Sequence, residues 1–146
     1  MRSIGVCNFL PKHIERLEAE TGVLPVVNQI EMHPYFHQPV TRQFHKEKGI
    51  ITQAWSPLGA GEGVLEEAVI AALASKYAKS SGQIVLRWLF QLGALPLPKS
   101  RHSVRQQDNL NIFDFTLSRD DMDSMSVLSR KDGRLFDQHP ETFSDI

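Results

Sequence analysis

The stretch ALPLPKSRHSVRQQDN, residues 94–109, contains the clearest strand–turn–helix unit of the chain. It predicts a short buried strand over residues 95–99, a polar turn, and a helix that begins near Ser103. Four basic side chains lie between the strand and the first helical turn: Lys99, Arg101, His102 and Arg105. They converge where a strand ends and a helix begins, and a helix N-terminus already favours an anion. The pattern indicates a phosphate site; the alternative for this segment alone is a solvated, charged turn.

The same alternation of strand and helix extends through the rest of the chain. Strands are predicted at residues 4–6, 24–30, 50–55 and 95–99. Helices are predicted at residues 10–18, 39–48, 65–78 and 81–92, and from Ser103 and Ser118. In the second helix, Val40 and Phe44 are expected to face the core. This order favours a parallel sheet with right-handed crossovers, and the continuous apolar strands suit a sheet covered on both faces.

Polar or aromatic residues follow every predicted strand, and in a (β/α)8 barrel that edge is where the site is built. A complete barrel usually needs about 250 residues. With 146 residues, this chain has enough for half of one. We therefore expect an α/β fold that is half of a TIM barrel. One domain is predicted over residues 1–130, followed by an irregular C-terminal tail over residues 131–146.

Composition excludes several classes of protein. The formal charge of −1 and the hydrophobic fraction of 41% are ordinary for a globular protein and do not favour a nucleic-acid partner. Cys7 is the only cysteine, so no intramolecular disulfide is possible and a reducing compartment is natural. No apolar run is long enough for a signal peptide or a bilayer span. A cytoplasmic protein without a membrane partner is the expectation.

Five segments carry a resemblance to a known family. They are IGVCNF at 4–9, VNQIEMHPY at 27–35, AWSPLG at 54–59, IVLRW at 84–88 and FDF at 113–115. Together with the basic cluster they resemble, in order and spacing, the C-terminal half of the aldo-keto reductases, which is strands five to eight of the barrel with their helices. The short tail resembles that of the smaller bacterial members. The implied cofactor is NADPH or NADP, and the implied activity is reduction of a carbonyl to an alcohol by hydride transfer.

The resemblance assigns four residues to the nicotinamide end of the cofactor: Cys7, Asn8, Gln29 and Trp55. The first three would hold the carboxamide, and the indole would stack on the ring. Cys7 stands where the family commonly has serine, so this contact should be weaker.

Seven more residues are assigned to the phosphates and the adenosine: Ser56, Leu58, Lys99, Ser100, Arg105, Asp108 and Asn109. The first two belong to a loop that passes the pyrophosphate. The next three would hold the 2′-phosphate, to which a guanidinium donates planar, charge-assisted hydrogen bonds. Asn109 would reach the adenine, with Asp108 where the family usually has glutamate.

The family's catalytic tyrosine, lysine, aspartate and histidine lie on strands of the other half, so no catalytic residue is assigned here. Tyr77 is expected in the core, and Tyr35 has no lysine–aspartate pair to lower its pKa. Two hypotheses stay open. The chain is the cofactor half of a carbonyl reductase whose catalytic half is missing or supplied by another chain, or it is a truncated, non-catalytic remnant that binds NADPH weakly. Both predict that the isolated chain is inactive.

Two further expectations concern metals and partners. His33 and His37 are four residues apart, but Pro34 prevents a shared helical face and no other ligand completes a set, so no metal site is predicted. A half barrel would leave two strand edges and one apolar sheet face uncovered. We therefore expect self-association or pairing with an N-terminal half, and a carbonyl substrate only when that half is present.

Overall fold

The structure is a computed structural model that describes residues 2–131, 133–136 and 138–142; Met1, Asp132, Asp137 and residues 143–146, including the end of the predicted tail, lie outside the described residues. The strands are β1 (Gly5–Cys7), β2 (Val27–Glu31), β3 (Ile51–Trp55) and β4 (Ala94–Pro96). The helices are α1 (Pro11–Thr21), α2 (Pro39–Lys48), α3 (Ala68–Tyr77), α4 (Ser81–Gln91), α5 (Ser103–Leu110) and α6 (Arg119–Ser126). Within the described ranges, every helix is too short or too polar to cross a membrane.

The strands form one parallel sheet in the order β1-β2-β3-β4, which confirms the predicted α/β class with parallel pairing. Gln29 lies opposite Gln53, and Gln53 lies opposite Leu95, so these three residues share one face of the sheet. All strands run in the same direction. The polar residues that follow β1, β3 and β4 therefore lie at one edge.

The two faces of the sheet differ in what covers them. Ile30, Ala54 and Ala94 are buried on the side of the helices, where they join Ile84 and Trp88 in the core. On the opposite face, Leu95 is 42% exposed and Ile51 is 50% exposed. The expectation that both faces are covered is wrong for the described residues, because this second face carries polar Gln29 and Gln53 and leaves Ile51 and Leu95 exposed.

Strand β4 and the third helix are shorter than predicted. The strand ends at Pro96 rather than Lys99, although the N–H of Leu97 still donates to the Ala54 carbonyl oxygen. Only Ala94 of this strand is buried, so the expectation of a buried strand is also wrong. Residues 64–66 form a separate 3-10 turn, and the extended backbone of Glu67 precedes α3.

Helix α2 buries a face that differs in part from the one predicted. Phe44 is half-buried, but Val40 is 77% exposed, and the buried residues are Thr41 and His45. The reason is that Asn28 and Thr52, on the neighbouring strands, give the His45 ring hydrogen-bond partners inside the structure. A satisfied polar network therefore takes the place of the expected apolar contact.

Candidate functional site

A cavity of about 390 Å³ lies beside the start of α5. Six of the sequence-predicted site residues line it: Leu58, Lys99, Ser100, Arg105, Asp108 and Asn109. Leu65 and residues 80–82 complete its wall. The structure thus brings together residues from three separate parts of the chain: the loop after β3, the start of α4, and the β4–α5 segment.

The turn between β4 and α5 is held by Ser100. The backbone N–H of His102 donates to Ser100 Oγ at 3.1 Å, and Gln106 Nε2 donates to the Ser100 carbonyl oxygen at 2.9 Å. Arg101 and His102 lie exposed on this turn and do not line the cavity. The prediction that all four basic residues converge is therefore wrong for these two, which are exposed to solvent outside the cavity.

The cavity favours an anion for two reasons. Lys99 and Arg105 line it and form no ion pair with any described carboxylate. In addition, the side chain of His102, at the start of α5, caps none of the unpaired N–H groups of the first helical turn. Asp108 is the one acidic residue among the lining residues. Exposed cations next to a helix N-terminus can bind a phosphate through charge-assisted hydrogen bonds.

The second group of predicted residues lies at or near the carboxyl ends of β1, β2 and β3. Trp55 Nε1 donates to Asn8 Oδ1 at 2.8 Å, and Gln29 Nε2 donates to Gln53 Oε1 at 3.3 Å. Cys7 is exposed and lies opposite Gln29 in the sheet. An indole, two amides and a thiol are thus presented at neighbouring positions, with the amide of Asn8 already fixed against the indole.

Two residues at these strand ends have left-handed backbone conformations. Asn8 has φ 56°, and Ser56 has φ 48°. Asparagine tolerates this region better than most residues, but serine does so at a cost. The Ser56 carbonyl oxygen accepts from the Gly59 N–H at 2.9 Å, which closes the turn that contains Leu58. Ser56 itself does not line the cavity beside α5.

Residues of the C-terminal segment also contact this site, although the sequence did not predict them there. The ring of Phe136 stacks on Trp55, with centroids 6.1 Å apart and planes at 28°. Leu135 N–H donates to Oε1 of the buried Glu31 at 2.7 Å, which anchors the segment to the end of β2. Gly133 passes so close to Tyr35 that a Cβ would overlap its carbonyl oxygen. No local pattern signals these contacts, since the partners are distant in sequence.

The chain's two tyrosines are both bound to carboxylates. Tyr35 is 4% exposed and its hydroxyl donates to Glu67 Oε1 at 2.6 Å; burial, followed by this hydrogen bond, raises its pKa. The hydroxyl of Tyr77 donates to Asp121 Oδ2 at 2.5 Å. Neither phenol lines the cavity beside α5. Tyr35 is therefore poorly suited to act as an acid at neutral pH.

The described residues thus form a parallel β/α sheet with a cavity beside α5 that is lined by Lys99 and Arg105. The chain belongs to the aldo/keto reductase family, whose defining sequence pattern matches residues 1–130. The resemblance to this family, drawn from the sequence, is thus confirmed.

Among its relatives, 2,5-diketo-D-gluconic acid reductase B of Corynebacterium sp. (strain SHS752001) is 46% identical over 146 residues, which is all of this chain and 52% of that protein. Methylglyoxal reductase DkgA of Escherichia coli (strain K12) is 40% identical over 144 residues, covering 98% of this chain and 52% of DkgA. The chain spans about half the length of these curated relatives.

Solved structures agree with this assignment. A crystal structure of a Gox0644 mutant in complex with NADPH matches with a TM-score of 0.92 and 44% identity, over 98% of this chain and 52% of that one. The apo form of Gox0644 matches with a TM-score of 0.88 and 46% identity, over 92% and 49%.

Proposed function

We propose that this chain is the cofactor-binding part of an NADPH-dependent aldo-keto reductase, which reduces a carbonyl to an alcohol. The observation that carries the proposal is the cavity beside α5, which gathers Lys99, Ser100 and Arg105 with Asp108 and Asn109. The NADPH complex of the related Gox0644 mutant supports the same cofactor.

The residues of the cavity fit the 2′-phosphate of NADPH. Lys99 and Arg105 supply positive charge, and the first turn of α5 supplies N–H donors. NADH has a hydroxyl group at the same position and cannot use these charges. A preference for NADPH over NADH follows.

The strand ends fit the nicotinamide. Trp55 offers an indole for stacking. Phe136 lies against one face of this ring. Asn8 and Gln29 carry amides that can hold the carboxamide and so fix which face of the ring is presented. The bound cofactor supplies the hydride, and these residues orient it.

The chain corresponds, in this proposal, to the C-terminal half of the family's barrel, and the other half supplies the tyrosine acid with its lysine, aspartate and histidine. Two observations support this division. Both tyrosines of this chain already donate to carboxylates. In addition, the chain spans about half the length of its curated relatives.

The surfaces left open are suited to receive that other half. No described strand pairs with the outer edges of β1 and β4. The N–H of Leu97 donates to Ala54 in β3, so the alternate positions on the open side of β4 are Pro96 and Pro98, which have no N–H. The open edge of β4 therefore presents carbonyl oxygens, which can accept hydrogen bonds from the N–H groups of an added strand. An apolar cavity of about 420 Å³ adjoins the edge, lined in part by Phe90, Leu110 and Phe113.

A turnover assay tests the proposal. The isolated chain should bind NADPH but not oxidise it in the presence of methylglyoxal. Co-expression with the half of DkgA that this chain does not match should restore NADPH oxidation. Lys99→Ala in this chain should lower the rate of NADPH oxidation by the co-expressed halves. Turnover by the isolated chain would contradict the division of roles. A folded but inactive complex that binds NADPH would favour the second hypothesis, a non-catalytic remnant.

A further inference from the structure

A fully buried amide clamps the turn that follows β1. The side chain of Asn28 has no exposed surface. Phe9 N–H donates to Asn28 Oδ1 at 3.3 Å, and Asn28 Nδ2 donates to the Phe9 carbonyl oxygen at 2.8 Å. Because both bonds go to the backbone of one residue, they fix the orientation of the amide and the path of the chain immediately after Asn8.

His45 holds this amide from the opposite side. Its ring is fully buried, and its Nε2 accepts from Asn28 Nδ2 at 3.0 Å. Its Nδ1 then carries the proton and donates to Thr52 Oγ1 at 2.8 Å. The three side chains thus connect α2, β2 and β3 beneath the sheet, on the face opposite Gln29.

The clamped turn holds Asn8 in an unfavourable backbone conformation. Asn8 has φ 56°, and its N–H donates to the Gln29 carbonyl oxygen at 2.9 Å. In this conformation its Oδ1 accepts from Trp55 Nε1 at 2.8 Å. A residue keeps a left-handed backbone conformation only where the surrounding structure holds it there. The two hydrogen bonds of Asn28 to Phe9, the next residue, provide that restraint.

We propose that Asn28 and His45 are positioning residues for the nicotinamide end of the site. They hold the turn after β1 so that the side chain of Asn8 meets the indole of Trp55, and thereby fix the surface on which the nicotinamide is received. The inference rests on the proposed function, in which Asn8 and Trp55 contact the cofactor. Neither Asn28 nor His45 lines the cavity beside α5, so their effect is confined to one end of the cofactor.

The test compares two ligands that share the adenosine 2′-phosphate. NADPH and 2′,5′-ADP are titrated calorimetrically against the parent chain and the variants Asn28→Ala and Thr52→Val. Thr52→Val is the milder change, because it removes only the acceptor at the far end of the network. Both variants should weaken NADPH binding, by about tenfold for Asn28→Ala, which is the effect of roughly one hydrogen bond, while 2′,5′-ADP binds as before. Thr41→Val is the matched control, because this buried hydroxyl on α2 lies outside the network.

The Trp55 indole N–H signal in a two-dimensional NMR spectrum gives a readout that needs no cofactor. It should shift in both variants, while the Trp88 signal, whose N–H donates to the Met122 carbonyl oxygen, stays in place. Equal losses of affinity for both ligands would overturn the positioning role, and so would an unmoved Trp55 signal in folded Thr52→Val. If the parent binds neither ligand, the proposed function fails, whereas the Trp55 signal still reports whether the network positions Asn8.

Discussion

The indole N–H of Trp55 donates to the side-chain oxygen of Asn8 at 2.8 Å, which joins two residues 47 positions apart. Each residue lies at the carboxyl end of its strand, β3 or β1, so parallel pairing through β2 brings them together. One face of the same indole lies against Phe136. The Trp55 ring is therefore held at its edge by the hydrogen bond to Asn8, and one of its faces is covered by Phe136.

Removing Phe136 should change the environment of Trp55. In Phe136→Ala, water reaches the uncovered face of the indole, so the tryptophan fluorescence should shift to longer wavelength. Trp88 is fully buried and contributes a constant background. Phe113→Ala serves as control, because Phe113 is 64% exposed and its ring contacts Phe90 instead. An emission spectrum that does not change in Phe136→Ala would contradict the stacking.

The buried imidazole of His45 makes stability depend on pH. Burial lowers the pKa of His45 from the ordinary value of 6.5 to about 4. Between these values the unfolded chain binds the proton more readily than the folded chain, so the free energy of unfolding should fall as the pH is lowered from 6.5 to about 4. Urea unfolding at a series of pH values measures this slope.

His45→Gln is the informative variant, since glutamine cannot be protonated. Its slope should be smaller than that of the parent, and the part that remains should come from His37, whose pKa is also lowered by burial and by nearby Arg42. Identical slopes in parent and variant would show that His45 does not cause the dependence.

The carboxylate of Asp121 should make the free energy of unfolding depend on pH in a second, more acidic range. The Lys76 ammonium, the Ser118 hydroxyl and the Tyr77 hydroxyl all donate to its carboxylate, and in that order they hold its pKa well below the usual 3.8. This stability is fully present above 3.8 and is lost as the pH falls below that value.

Asp121→Asn should therefore lower the free energy of unfolding at neutral pH by about 2 kcal/mol, the scale of a hydrogen bond to a charged group. Asp120→Asn is the matched control, because Asp120 lies exposed in the same first turn of α6. Equal urea midpoints for the two variants would contradict the assigned role.

The parts of this molecule that the sequence predicts are those with local signals. Lys99 and Arg105 stand at a strand end and a helix start, so their positions follow from neighbouring residues. The α/β class followed from the alternation of apolar runs and helical periods. Asn8 and Trp55 came from the resemblance, because no local pattern brings two distant strand ends together.

Other features depend on tertiary partners and could not be predicted in this way. An apolar pattern placed Val40 inside, whereas the structure buries His45, because Asn28 and Thr52 satisfy both ring nitrogens. Arg101 does not line the cavity, although it is next to Ser100, whose side chain accepts a hydrogen bond within this turn. The contact between Phe136 and Trp55 joins residues that are far apart in the sequence, and no periodicity in the sequence predicts it.

The most direct test of the account is a calorimetric comparison of NADPH with NADH. The parent chain should bind NADPH more tightly. Lys99→Ala combined with Arg105→Ala should weaken NADPH by about a hundredfold, the effect of two charge-assisted contacts, while NADH affinity hardly changes. Arg101→Ala removes one positive charge outside the cavity and should match the parent. Equal affinities of the parent for the two cofactors, or an unchanged NADPH affinity in the double variant, would contradict the central claim.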